Sequence, residues 1–192
     1  MVATNNLQTI SCKSSEEWEK WLAKNHKKSS GIWLRIFKKE SGRTSATYAE
    51  ALDSALCYGW IDGQKNKYDN ESWLQKFTPR RPKSMWSKVN TAHVKRLINA
   101  GRMKSAGFHA IETAKQNGRW TSAYDSPSKA VIPVYFLKEL LKSKKAKTFF
   151  NTLNKTNLYS ISWRLQTAKK PETRQKRMKI ILEMLENNKK FH

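Results

Sequence analysis

The apolar residues of this chain change their period partway along it, and that change limits the fold more than any other feature. Before residue 87, runs rich in β-formers alternate with helical segments; from Ser87 onward every apolar pattern has helical spacing. In the first part, Ser14 or Ser15 caps a helix running to about His26, with Glu16 and Glu17 in the first turn, where the helix dipole favours acids. Trp18, Trp21 and Leu22 give this helix a buried face at i, i+3, i+4. After the Ser30-Gly31 break, Ile32–Lys38 reads as a strand that ends at Ser41-Gly42. Thr47-x-x-Glu50 is a capping box opening a helix from Tyr48 to Tyr58, and Gly59 stops it. Trp60-Ile61-Asp62 and Ser72–Phe77 are two more strands, joined as a hairpin through Tyr68-Asp69-Asn70.

The second part reads as helices over 88–100 and 104–117, ended by Gly101 and Gly118, then near 133–142, 145–152, 157–168 and 172–187. The last carries Met178, Ile181, Leu182 and Leu185 at i, i+3, i+4, i+7. The expected fold is α+β: a small, mainly antiparallel sheet packed with helices, followed by a C-terminal helical region. Three segments follow: a flexible leader over 1–13, a core over 14–121 and a helical domain over 122–192, with the stretch from Ser122 to Ser128 as linker.

A mean hydropathy of −0.79 is low, but 8 Trp, 7 Phe and 6 Tyr supply large apolar surfaces, so a core forms and disorder is excluded. Two cysteines cannot make a disulfide framework, and Cys57, among apolar residues, reads as a buried hydrophobe. The start lacks a basic segment followed by an apolar one, and no apolar run is long enough to span a membrane. The expected location is cytoplasmic.

Charge narrows the function. Thirty-eight Lys and Arg against 15 Asp and Glu leave a net +23, which signals polyanionic partners. It is also patchy: no acid stands between Glu71 and Glu112, or between Glu139 and Glu172. The first of these stretches contains Pro79-Arg80-Arg81-Pro82-Lys83-Ser84-Met85-Trp86-Ser87-Lys88-Val89-Asn90. Two prolines stiffen it, the planar arginine forks grip phosphate or carboxylate, and Ser84 and Ser87 add hydroxyl donors. Ser87 or Asn90 caps the next helix, whose first amides would add to an anion site. The same segment is equally a rigid connector with solvated arginines, and a tryptophan such as Trp86 is more often a core residue than a stacking platform. In the turn Tyr58-Gly59-Trp60-Ile61-Asp62-Gly63, Trp60 and Asp62 are further candidates, with Asp62 either accepting from the arginine loop or fixing the turn. Arg174 and Arg177 share a face of the last helix, which opens with Pro171 at its first position, and either bind an anion or pair with surface glutamates.

Other chemistry scores poorly. His26, His93, His109 and His192 have no metal spacing. No phosphate loop, nucleophile elbow or paired-carboxylate motif appears, so no catalytic residue, cofactor or metal is expected.

Tyr48-Ala49-Glu50-Ala51-Leu52, Leu56-Cys57-Tyr58-Gly59-Trp60-Ile61-Asp62-Gly63, Phe77-x-Pro79-Arg80-Arg81-Pro82-Lys83-Ser84-x-Trp86-Ser87-x-x-Asn90, Gly101-x-Met103 and Ala168-Lys169-Lys170-x-Glu172-Thr173-Arg174-x-x-Arg177 together resemble the YdeI/OmpD-associated family, also called bacteriocin-protection proteins, over about Trp18–Leu185. The resemblance implies a stress-resistance role against bacteriocins or antimicrobial peptides and brings no catalytic residue with it. Those peptides are mostly cationic, and a +23 chain repels them, so the expected protection is indirect, through an anionic lipid, nucleotide, envelope precursor or nucleic acid. The expected function is non-catalytic binding of such an anionic partner. The alternative is an enzyme or sensor acting on a small phosphorylated or carboxylated ligand at the Arg80/Arg81 loop.

Overall fold

The computed structural model describes residues 7–192. Its elements run β1 (Thr9–Ser11), α1 (Ser15–Asn25), β2 (Ile32–Phe37), α2 (Tyr48–Cys57), β3 (Trp60–Lys67), β4 (Ser72–Pro79), α3 (Lys88–Asn99), α4 (Ser105–Gln116), α5 (Val134–Leu140), α6 (Lys144–Phe150), α7 (Lys155–Gln166) and α8 (Pro171–Glu186). Two compact units divide the chain: one holds residues up to Ser84 together with Asn90–Thr121, the other Met85–Val89 with Ser122–His192. The fold is α+β, with a helical C-terminal region.

The first unit carries a four-stranded sheet in the order β1-β2-β4-β3. β1 pairs with β2 in parallel, Thr9 opposite Trp33, while β2–β4 and β4–β3 are antiparallel. Thr9–Ser11 fall within the stretch read from sequence as a leader; three residues are too short to give a pattern, and the pairing with β2 makes them a strand. The first six residues of that leader lie outside the described residues.

Ile32, Leu34 and Ile36 of β2 are each 1 % exposed, whereas Trp33, Arg35 and Phe37 between them are half-buried, the alternation of a sheet with one covered face. Phe77 joins the covered face from β4, where the ring of Trp18 meets it at 5.4 Å. The helices form where local chemistry places them. Ser14 caps α1 by accepting from the Glu17 amide, and Thr47 and Glu50 complete the reciprocal capping box of α2. Gly59 ends α2 at φ +71, a conformation in which a side chain is strained.

In the second unit, Phe136, Leu140, Ala146, Ile161, Leu165, Ile181 and Leu185 form one core. The apolar stripe of α8 supplies two of its members, with Met178 and Leu182 packed at its margin. Buried Asn157 holds the end of the chain against α7: its Oδ1 accepts from the Phe191 and His192 amides at 3.0 and 3.1 Å. Among the described residues no helix is long and apolar enough to cross a membrane.

Candidate anion-binding site

The candidate residues are divided between the two units, and the division begins inside the arginine loop. Arg80, Arg81, Lys83 and Ser84 belong to the first unit, whereas Trp86 and Ser87 belong to the second. Within the first unit the loop is a tight turn. The Arg81 amide donates to the Ser84 hydroxyl at 3.0 Å, and the Ser84 amide returns a bond to the Arg81 carbonyl at 2.8 Å. Asn117, at the end of α4, ties the turn down through the Pro82 carbonyl at 2.8 Å. The Arg80 amide bonds the Gly59 carbonyl at 2.9 Å, and its half-buried side chain follows β4 directly. Arg81 and Lys83 are exposed.

In the second unit Trp86 is only 2 % exposed, and Ser87 pairs with Tyr124 in a short parallel bridge. The first amide of α3, on Lys88, donates to the Tyr124 carbonyl at 2.9 Å, so that donor is occupied. Asn90 lies inside α3, not at its cap. Trp60 is a core residue, 1 % exposed, whose indole N–H donates to the His26 carbonyl at 3.1 Å. Asp62 stands on β3, where its Oδ2 accepts from the Tyr48 hydroxyl at 2.7 Å; burial, and then Asp62, push that phenol's pKa well up.

Arg174 and Arg177 are brought together with a third arginine that the sequence motifs did not single out. The spacing of the two places both on one face of α8, next to the end of α7. Arg177 Nη1 donates to the Arg164 carbonyl at 2.7 Å and to Thr167 Oγ1 at 2.9 Å. Arg174 Nη2 reaches the Ala168 carbonyl at 3.5 Å. Both cations therefore sit at the C-terminus of α7, the end its dipole makes negative. The Arg164 guanidinium lies over the Phe191 ring at 3.7 Å and donates to the Ser160 carbonyl at 3.1 Å. Burial, and then the charge of Arg177, hold its pKa below the usual arginine value.

None of these three arginines forms an ion pair among the described residues. Three acids of this unit pair elsewhere: Glu139 with Lys142 at 2.9 Å, Asp125 with Lys88 at 2.8 Å, Glu183 with Lys179 at 4.0 Å. Each guanidinium offers five N–H donors, and the carbonyl bonds engage one nitrogen apiece. The remaining forks suit a phosphate or carboxylate. The signal for Arg164 in the sequence was its position in an acid-free stretch; the fold supplied its proximity to Arg177.

A second cluster also escaped sequence reading. Asp53, 8 % exposed on α2, accepts from Arg96 Nη2 at 2.7 and 2.6 Å, and its Oδ1 lies 2.9 Å from His93 Nδ1. Forty residues separate the partners in sequence. A lone carboxylate amid the apolar residues of α2 was the available signal, because such a charge needs a partner. Among the described residues no group of three or more His, Cys, Asp or Glu is placed to hold a metal ion. Burial, the largest influence on each, pushes the thiols of Cys12 and Cys57 up to about 11, so neither is a reactive thiolate.

Comparison with known families divides the chain much as the coordinates do. Residues 10–110 match a domain of unknown function (DUF8412), and residues 129–188 match the family described as bacteriocin-protection, YdeI or OmpD-associated. The resemblance read over nearly the whole chain is thus met by that family in the second part alone, and the first part by a different domain. No curated protein and no solved structure matches the chain.

Proposed function

The chain belongs to the DUF8412 family through residues 10–110 and carries at residues 129–188 a bacteriocin-protection, YdeI or OmpD-associated domain, and from that premise we propose that it is a non-catalytic protein of the bacteriocin-protection type that acts by binding an anionic partner. The observation that supports this reading is the trio Arg164, Arg174 and Arg177: three guanidiniums on two adjoining helices that form no ion pair among the described residues. Burial, and then the like charge of Arg177, depress the pKa of Arg164, and an anion entering beside these guanidiniums offsets both effects. The partner carries phosphate or carboxylate groups, as nucleic acids, nucleotides and envelope precursors do. A net +23 brings such a partner in by long-range attraction before any contact forms.

Binding of a fluorescent duplex oligonucleotide, used as a generic polyanion, tests the reading. Counterion release makes log affinity fall linearly with log salt, about 0.9 for each phosphate engaged. Two contacts alone predict about a tenfold loss of affinity between 50 and 200 mM salt. Replacing Arg164→Gln and Arg174→Gln together takes those contacts away and flattens the slope by about 1.8. A slope near zero in the unaltered protein, or a double variant that binds identically, overturns the proposal.

A further inference from the structure

The half-buried face of the sheet carries a second pattern that neither family match explains. In β2 the residues turned away from the core are Trp33, Arg35 and Phe37, and Lys76 of β4 stands directly opposite Trp33. Rings and cations interleave across this face. Lys76 Nζ lies 5.7 Å from the centre of the Trp33 ring, and the Arg35 guanidinium lies 4.4 Å from that of Phe37 and 4.9 Å from that of Tyr68. Arg43 approaches Phe37 from the adjoining loop at 5.4 Å. Tyr68, at the β3–β4 turn, is 53 % exposed.

Each part has a local cause. Lys76 lies along the sheet surface beside Gly63 of β3: its side-chain carbons come within 3.6–3.7 Å, an ordinary contact distance, of where a Cβ on that glycine would sit. Asp69 fixes the Arg35 fork at 2.6 Å and Ser72 receives its Nε at 2.9 Å, which sets the guanidinium between two rings. Glu71 holds Arg43 at 3.4 Å. These two carboxylates orient the arginines, while Lys76 forms no ion pair among the described residues.

We propose that this sheet face binds single-stranded nucleic acid, with bases stacking on Trp33 and Phe37 and phosphates meeting Lys76, Arg35 and Arg43. The proposal rests on the anion-binding reading above and adds to it a class of partner and a second surface, on the first unit. Four residues of extended strand set the two rings about 13 Å apart, far enough for each to take its own base. The aromatics decide between single strand and duplex. A duplex keeps its bases stacked inside and offers only phosphate, which lysines alone would serve; rings at the surface gain contact only from splayed bases.

Anisotropy of a fluorescein-labelled oligouridine, against a duplex of equal length, tests this in the full chain. The expected result is tighter binding of the single strand, weakened about tenfold by Trp33→Ala and largely restored by Trp33→Phe, which keeps a ring to stack on. Lys76→Ala lowers the salt slope by about 0.7, one contact's share on a single strand. Thermal melting checks that each variant folds; should Trp33→Ala not fold, Phe37→Ala and Lys76→Ala carry the test. Single-strand binding indifferent to Trp33, Phe37 and Lys76, or no tighter than duplex binding, overturns the proposal. If the arginine double variant still weakens duplex binding in that case, the anion-binding reading survives; if no polyanion binds at any salt, both fall.

Discussion

Asp53 would be an expensive residue on α2 if it stood alone, since every residue from Ala51 to Tyr58 around it is buried. Burial pushes its carboxyl pKa up, yet the hydrogen bonds and charges of Arg96 and His93 outweigh that and leave it below the ordinary 3.8. A carboxylate whose folded pKa is depressed stabilises fully above the unfolded value and loses that contribution as pH falls through the folded one. Arg96 is 56 % exposed at its side chain, so the relevant scale is that of hydrogen bonds to a charged group, not a fully buried ion pair. Asp53→Asn should therefore cost about 2 kcal/mol at neutral pH. The gap to the unaltered protein should narrow as pH drops below 3.8, where the wild-type carboxylate is itself being protonated. Urea unfolding at pH 7 and pH 3 reads both quantities, and a gap independent of pH would show that the carboxylate's charge is not what holds α2 and α3 together.

At the scale of elements, α4 approaches the end of α2 as closely as two backbones allow. A Cβ on Gly107 would meet the Cys57 carbonyl, stand 2.9 Å from the Leu56 carbonyl and 2.5 Å from Met103 Cε. A Cβ on Gly59 would come within 2.7 Å of the Ala106 carbonyl. Met103 Cε is the end of a flexible side chain and can move; the carbonyls cannot without parting the helices. Gly107→Ala should destabilise the first unit by about 3 kcal/mol, the upper range for overpacking, although alanine has the better helix propensity. Chemical denaturation measures it, and a stabilised variant would mean the two helices are free to slide. This contact explains what sequence reading reached and what it missed. Caps, glycine stops and apolar stripes are local, and Thr47, Gly59, Gly101 and the α8 stripe announced their elements. Lys65–Lys67 extend β3 with residues that have no β preference, because pairing with β4 decides their conformation. The alternation of Ile32–Phe37 was visible, but which rings would meet which cations depends on the register of β4, and the grouping of Arg164 with Arg177 depends on how α7 meets α8. Neither is written in any single segment.

For the molecule as a whole, a net +23 makes salt act in two opposite directions. Without a ligand, the folded chain repels itself, and mobile ions shorten the reach of that repulsion from about 30 Å at 0.01 M to about 10 Å at 0.1 M. Added sodium chloride should then raise the thermal midpoint, by about 3 °C for each kcal/mol of repulsion relieved in a chain of this length. With a polyanion bound the sign reverses. A ligand at a hundred times its dissociation constant adds about 2.7 kcal/mol to the folded state, and salt removes that gain by competing for the same cations. Polyphosphate at micromolar concentration, too dilute to screen, should raise the midpoint at low salt, and the two melting curves should converge as salt increases. Thermal scans over a salt series with and without polyphosphate measure both slopes. Parallel slopes would mean that the positive side chains act only as a diffuse surface charge, and that the arginine forks of α7 and α8 hold no anion.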